Sequence, residues 1–194
     1  MKRKAMKIIK KISKDRVGAF LGIDLLPNKI VIGWDVSMRS TGIAIIRTTD
    51  TYLMVDKLHK ITIPKKVNSI DALDLFINQL NEFAMEVSKT YKIDINIIED
   101  CFLKKNVNTL KALARHSVLV YGKFKGLARK QIFILPTSAR NKVRFKKSHK
   151  KIKGHALKKE LVEFINNALD MKLKAKDNDL SDAILLALAG LRYE

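Results

Sequence analysis

Three apolar runs in this sequence break off at acidic residues. IVIGWD ends on Asp35, IDINIIED ends on Glu99 and Asp100, and the run that closes the sequence is entered through Asp177, Asp179 and Asp182 in KDNDLSDAILLALAG. An anion at the rim of an apolar element needs a reason, because burying it without a partner is costly. Asp35 alone has an ordinary explanation as a turn residue capping its own backbone. Acids at a helix start have one as well, since they complement the helix dipole and Asn178 or Asp179 makes a good cap. Asp182 fits that account less well. It stands about a turn inside a helix otherwise bound for the core, on the same face as Asp179. Glu99 and Asp100 are neighbours, so on a strand they face opposite sides and only one of them serves a given site.

Placing these acids together requires a particular arrangement of elements. Ile30 to Asp35 reads as a central strand, apolar on both faces. A polar turn with Ser37, Arg39, Ser40 and Thr41 follows, then a pivot at Gly42 and an antiparallel strand to Ile46. Thr51 to Ile63 closes a three-stranded meander ended by Pro64. Ser69 to Tyr91 has helical apolar spacing, with Ser69 as its cap. Ile93 to Glu99 is a strand reached from a helix, hence parallel to the first. Leu110 to Lys130 reads as a second long helix, with Gly122 and Gly126 as points of close packing. Ile132 to Leu135 is a short buried strand stopped by Pro136, and helices over His155 to Leu169 and the C-terminal run complete the order. The result is an α/β domain with a mixed five-stranded sheet. If the first and fourth strands are adjacent, Asp35 and Glu99 emerge side by side, and the last helix brings Asp179 and Asp182 to the same edge. Four carboxylates cannot share a small site as bare anions. Divalent cations resolve the repulsion, and an all-oxygen set suits Mg²⁺ or, in its place, Mn²⁺. Two such ions per site are the arrangement for in-line phosphodiester hydrolysis.

Against these acids the whole sequence is basic: 39 Lys plus Arg face 19 Asp plus Glu, for a net charge of +20 across 194 residues. Such an excess points to a polyanionic partner, nucleic acid before anionic membrane, and no run reaches the length of a transmembrane helix. The single cysteine, Cys101, excludes an internal disulfide and a cysteine-based zinc site and suits a reducing compartment. Residues 1–28 form a basic N-terminal extension in which Met6, Ile9 and Ile12 have helical spacing. It reads as a solvated flexible arm or, more sharply, as a DNA-tracking arm. From Ser138 to Lys159 the charge is one-sided, with Arg140, Lys142, Lys146, Lys147, Lys158 and Lys159 among ten basic residues and no acid. Much of that stretch reads as a mobile loop suited to phosphate contact.

The motifs IGWDVSMRSTGIAII, IIEDCF and DLSDAILLALA resemble those of the RuvC-type Holliday junction resolvases of the ribonuclease H-like superfamily, over about Ile30 to the C-terminus. The resemblance implies a ribonuclease H-like domain over residues 29–194, with helices on both faces of the sheet. It implies Asp35, Glu99, Asp179 and Asp182 as catalytic metal ligands, Glu99 being preferred to Asp100 because the family also places a phenylalanine three residues after the glutamate. Here that residue is Phe102, which the resemblance makes a wedge stacking on a base at the junction centre; without it Phe102 reads as core. Lysines near the scissile phosphate correspond to Lys142 and to Lys158 or Lys159. Arg39 and the hydroxyls of Ser37 to Thr41 are expected beside the DNA backbone, with Lys146 and Lys147 in the basic loop. The implied protein is an intracellular, soluble, metal-dependent endonuclease that resolves four-way DNA junctions as a homodimer, with no small-molecule cofactor and no membrane partner. Two alternatives stand beside it: another nuclease of the same fold, cutting RNA in hybrids or maturing ribosomal RNA, and a non-catalytic nucleic-acid-binding module. An actin-like or sugar-kinase-like ATPase is disfavoured, because the chain is too short for two domains and lacks a second glycine-rich loop.

Overall fold

The structure is a computed structural model that describes residues 10–100, 107–148 and 152–193. The strands are β1 (Lys10–Ser13), β2 (Ile30–Asp35), β3 (Ser40–Thr48), β4 (Tyr52–Thr62), β5 (Ile93–Glu99) and β6 (Ala128–Ile134). The helices are α1 (Lys14–Leu21), α2 (Ser69–Thr90), α3 (Val107–Phe124), α4 (Pro136–Lys142), α5 (Gly154–Leu169) and α6 (Asn178–Gly190). One mixed sheet runs in the order β1-β4-β3-β2-β5-β6, with β2, β5 and β6 parallel and the other pairings antiparallel.

Strand alternation sorts the core into two layers. Ile32, Trp34, Ile43, Ile45 and Ile98 face α2 and α3, meeting Phe76, Leu80, Phe83, Val120 and Phe124. Val31, Ala44, Ile46, Ile95 and Ile97 face the other way, toward α1, α4, α5 and α6. Trp34 ties the first layer together. Its ring meets Phe83 and Phe124 edge-on, and its indole N–H donates to Asn96 Oδ1 at 2.7 Å. Asn96 in turn donates to Gln131 Oε1 at 2.7 Å, so a buried polar chain crosses β2, β5 and β6. A strand slip would leave these groups unpaired, which fixes the register that brings the ends of β2 and β5 level.

The structure departs from the sequence expectations in several places. The sheet has six strands rather than five, because the N-terminal segment contributes β1, paired with β4 from Lys10 opposite Val55 to Ser13 opposite Tyr52. The same segment supplies α1, whose Val17 and Leu21 are buried in the α5 and α6 layer with Ile12, Ile23 and Leu25. From Lys10 onward the extension is therefore part of the core and not a solvated arm, since these five apolar residues have a face to bury. The cap of α2 is Asn68, whose side chain accepts from the Ile70 and Asp71 amides, and not Ser69. Helix α3 stops at Phe124, ahead of a turn with Gly126 at φ 87°. Neither Gly122 nor Gly126 is a close-packing point, for a Cβ at either would meet open space. The basic stretch after Ser138 is in part structured: α4 occupies its start, and Val143 and Phe145 are buried, Phe145 edge-on to Phe164.

Strand β4 also carries a bulge. Ile45 pairs with Lys57 but Ile46 pairs with Val55, leaving Asp56 as the extra residue. Arg47 clamps that bulge, with Nε 2.9 Å from Asp56 Oδ2.

The glycines that do mediate close packing lie under α6. A Cβ on Gly33 would come within 2.3 Å of the Ala183 carbonyl oxygen, and one on Gly42 within 2.0 Å of the Asp179 carbonyl oxygen. Helix and sheet touch there backbone to backbone, so an added methyl has no flexible side chain to displace. Gly42→Ala is accordingly expected to lower stability by about 3 kcal/mol, the upper part of the usual overpacking range. Gly122→Ala is expected to change it by less than about 1 kcal/mol. Urea unfolding of both variants checks the pair, and a stable Gly42→Ala protein would refute the contact.

Candidate active site

The four acids singled out in the sequence are assembled by three elements. Asp35 is the last residue of β2 and pairs with Gly42 on β3, which pairs in turn with Lys60 on β4. Residues directly opposite one another project from the same face. This row therefore faces α6, with a glycine gap at its middle, and the first turn of α6 settles over the gap. Glu99 ends β5 on the same face as Ile95 and Ile97, in the α6 layer, whereas Asp100 follows the phase of Ile98 toward α2 and α3. Alternation thus selects Glu99 of the two neighbours.

The carboxyl groups of Asp35 and Glu99 lie within hydrogen-bonding reach of each other. Two carboxylates hold that contact only when one carries a proton, and Asp35 is accordingly pushed well above the usual carboxylate range. Burial is the largest cause, followed by the hydrogen bond and charge of Glu99 and then the charge of Asp179, with Lys158 opposing. Asp182 is raised to about 7 by burial first and by the charge of Asp35 second, while Lys158 and Arg140 pull it down.

Asp179 is held differently. Its Oδ2 accepts from the Ser40 hydroxyl at 2.5 Å and its Oδ1 from Asn178 Nδ2 at 2.6 Å. Two ammonium groups flank it, Lys60 Nζ at 3.5 Å from Oδ2 and Lys158 Nζ at 3.9 Å from Oδ1. Arg140 on α4 borders a small cleft with Glu99, Asp182, Leu185 and Leu186, and its Nε is buried without a hydrogen-bond partner.

Among the described residues no three of His, Cys, Asp and Glu form a ready-made metal cage. Their chemistry nonetheless fits a hard cation: the donors are all oxygen, and two of them are close enough that a proton must separate them. Asp179 is drawn off toward Ser40 and Lys60, which accounts for the open geometry.

The remaining sequence candidates separate. Lys158 stands at the acids. Lys142 does not: its Nζ lies 3.8 Å over the Tyr193 ring. Lys146, Lys147 and Lys159 are exposed. The Arg39 guanidinium donates to the Pro64 carbonyl at 2.8 Å and the Val67 carbonyl at 3.2 Å, bracing the loop before α2. Ser37 and Thr41 use their hydroxyls within the turn, and Ser40 points its own at Asp179. A reversal this tight leaves backbone groups to satisfy, and the hydroxyls expected beside DNA satisfy them instead. Phe102 lies outside the described residues. Sequence reasoning overlooked Lys60, hidden in the β-type run TYLMVDKLHKITI, and took Arg140 for one charge among many. Only strand pairing and the short helix α4 reveal where they stand.

A family model described as Crossover junction endodeoxyribonuclease RuvC matches residues 31–190. Among solved structures, Thermus thermophilus RuvC in complex with a Holliday junction substrate superposes with a TM-score of 0.62 at 11% identity, covering 82% of this chain and 91% of that one. Thermus thermophilus RuvC in a second structure gives a TM-score of 0.62 at 12% identity, with 82% and 92% covered. The yeast mitochondrial Holliday junction resolvase Ydc2 gives 0.51 at 10% identity, with 91% and 83% covered. At these identities the structural likeness is one of fold. No curated protein sequence matches. Among the described residues no helix is long and apolar enough to cross a membrane.

The raised acids carry a pH signature. Asp182 binds its proton in the folded state up to about pH 7 but in the unfolded chain only near its ordinary 3.8. Its contribution to stability is therefore full below about pH 4 and is lost as pH rises toward 7. In chelator, the protein is expected to lose a few kcal/mol of stability between pH 5 and pH 8. Asp182→Asn should flatten that slope and be the more stable protein at pH 8. Urea unfolding across the range checks this, and a pH-independent wild type would exclude the buried cluster.

Proposed function

Since the chain belongs to the RuvC family of crossover junction endodeoxyribonucleases, a family of metal-dependent, junction-resolving nucleases, we propose that phosphodiester hydrolysis takes place at the cluster of Asp35, Glu99, Asp179 and Asp182. The proposed substrate is a four-way DNA junction, and the proposed ions are Mg²⁺ or Mn²⁺, two per site. The observation that carries this reading is the convergence of Asp35 and Glu99, at the ends of adjacent parallel strands, with Asp179 and Asp182 from the start of α6, a group of acids whose mutual repulsion a cation would relieve. When bound, such ions supply an activated water and charge stabilisation at the phosphate. The chain does the rest. Asp35 and Glu99 would hold the ions from the sheet and Asp179 and Asp182 from α6. Ser40 orients Asp179, and Lys158 offers positive charge on the open side, where a phosphate would lie.

The strands of the junction would run over the exposed Lys146, Lys147 and Lys159, and Phe102 would enter its centre. Two symmetric cuts require two sites. An exposed apolar surface on α3 and β6, where Tyr121 stacks on Phe133 at 5.7 Å beside Val118, supports pairing with a second copy. The nuclease reading restricted to RNA–DNA hybrids lacks a comparable supporting feature.

Incubating the protein with four-way, linear duplex and RNA–DNA hybrid substrates in Mg²⁺ tests the proposal. Paired nicks in the junction are expected, with at least a hundredfold loss in Asp35→Asn and in chelator while junction binding persists. Preferential cutting of the hybrid, or an active Asp35→Asn protein, would overturn it. Phe102→Ala is expected to reduce junction cleavage much more than stability. A loss of about 3 kcal/mol or more in urea unfolding would instead mark Phe102 as a core aromatic.

A further inference from the structure

Three cations reach the acids from elements that supply none of them, Arg140 from α4, Lys158 from α5 and Lys60 from the sheet itself. Lys60 stands on β4, two strands from Asp35 in the row Asp35, Gly42, Lys60. Strands are spaced about 4.8 Å apart, so the two side chains rise from the sheet roughly 10 Å apart with a glycine between them. Asp179 occupies the space above that glycine. Lys60 Nζ lies 3.5 Å from Asp179 Oδ2 and donates to the Lys176 carbonyl at 3.2 Å. One ammonium thus touches both the carboxylate and the short turn that leads into α6, and only about a quarter of the side chain is exposed.

We propose that Lys60 is the tethered counter-ion of Asp179, a residue that acts through this carboxylate by neutralising it in the metal-free protein and that a divalent ion must displace. The inference rests on the reading of Asp179 as a metal ligand. Its physical basis is charge and reach. Ser40 already fixes Asp179 by a short hydrogen bond to the same oxygen, so Lys60 is not needed to aim the carboxylate. What the lysine adds is a positive charge within a few ångströms of where a cation would sit, and like charges at that range oppose one another appreciably even when partly screened. Lys158, at 3.9 Å and half exposed, lies on the open side of the same carboxylate, whereas Lys60 is enclosed between β4 and the turn before α6. The enclosed lysine has the more persistent contact. Once displaced, its ammonium remains on the sheet face beside the site, free to meet a phosphate oxygen.

Calorimetric titration of the DNA-free protein with Mn²⁺ separates the possibilities. Lys60→Met, which keeps the aliphatic stem and removes the charge, is expected to bind the ion about tenfold more tightly than wild type, and Lys60→Arg to bind like wild type. Lys60→Gln serves as a second neutral variant should the methionine protein fold poorly. Wild-type or weaker affinity in the folded neutral variants would overturn the counter-ion role, because a lysine that only supports the turn would not hold back the metal. Asp35→Asn, titrated in parallel, tests the underlying site. If it keeps wild-type affinity, the metal reading itself fails; if it loses binding while Lys60→Met is unchanged, only the inference about Lys60 fails.

Discussion

Backbone contact between α6 and the β2–β3 hairpin is the constraint on which the rest of the molecule depends. A helix normally stands off a sheet by the depth of two layers of side chains. Here Gly33 and Gly42 remove one of those layers, and the helix backbone settles onto the strands. Gly190 repeats the device at the far end of α6, where an added methyl would strike Val31 and Ile97. Because the helix is held this close, acids in its first turn reach the level of strand-end carboxylates. With an ordinary side chain at Gly42, Asp179 would be lifted away from both Ser40 and Lys60.

That closeness has an electrostatic cost, concentrated in one place. Asp35 and Asp182, with Glu99 beside Asp35, are carboxylates whose setting favours their neutral forms, inside a protein of strongly positive net charge. Much of the rest of the interior relieves no such tension: Trp34, Asn96 and Gln131 are mutually satisfied, and both layers are packed with branched and aromatic side chains. Apart from His116 in the other layer, whose Nε2 is buried without a hydrogen-bond partner, unfavourable electrostatic free energy is gathered at the corner where chemistry is proposed, as expected when a site is kept ready for a ligand that the fold alone does not supply.

The sequence was most informative where physics is local. Strands β2 and β5 fall on the expected residues, because an apolar run that ends at a charge marks its own boundary. The four acids could be picked out for the same reason: each interrupts an apolar pattern that would otherwise continue. Relations between distant segments were less accessible. Nothing in the first thirty or so residues announces that Ile12, Val17 and Leu21 complete a core built mainly from the C-terminal helices, because a basic stretch with sparse apolar residues resembles a tail until its partner is known. Arg39 and the turn hydroxyls were legible as polar groups, but whether they serve the backbone or a ligand depends on how tightly the turn closes. Lys60 was invisible for a further reason: its strand does not keep a single alternation.

The bulge at Asp56 makes β4 a strand of two frames. Before it, Leu53 and Val55 share the α6 side; after it, Leu58 and Lys60 do. The side of the sheet on which each residue of TYLMVDKLHKITI appears is therefore governed by a count, and the Arg47 clamp on Asp56 preserves that count. Closing the bulge with Asp56 drawn into the ladder opposite Ile45 would shift the following pairs by one residue, turning His59 toward the acids and Lys60 into the apolar layer around Phe83. The charge facing Asp179 is in this sense specified by the register of one strand as much as by the identity of any side chain, so that a slip of one residue alone could invert the electrostatics of the site with every charged residue still present.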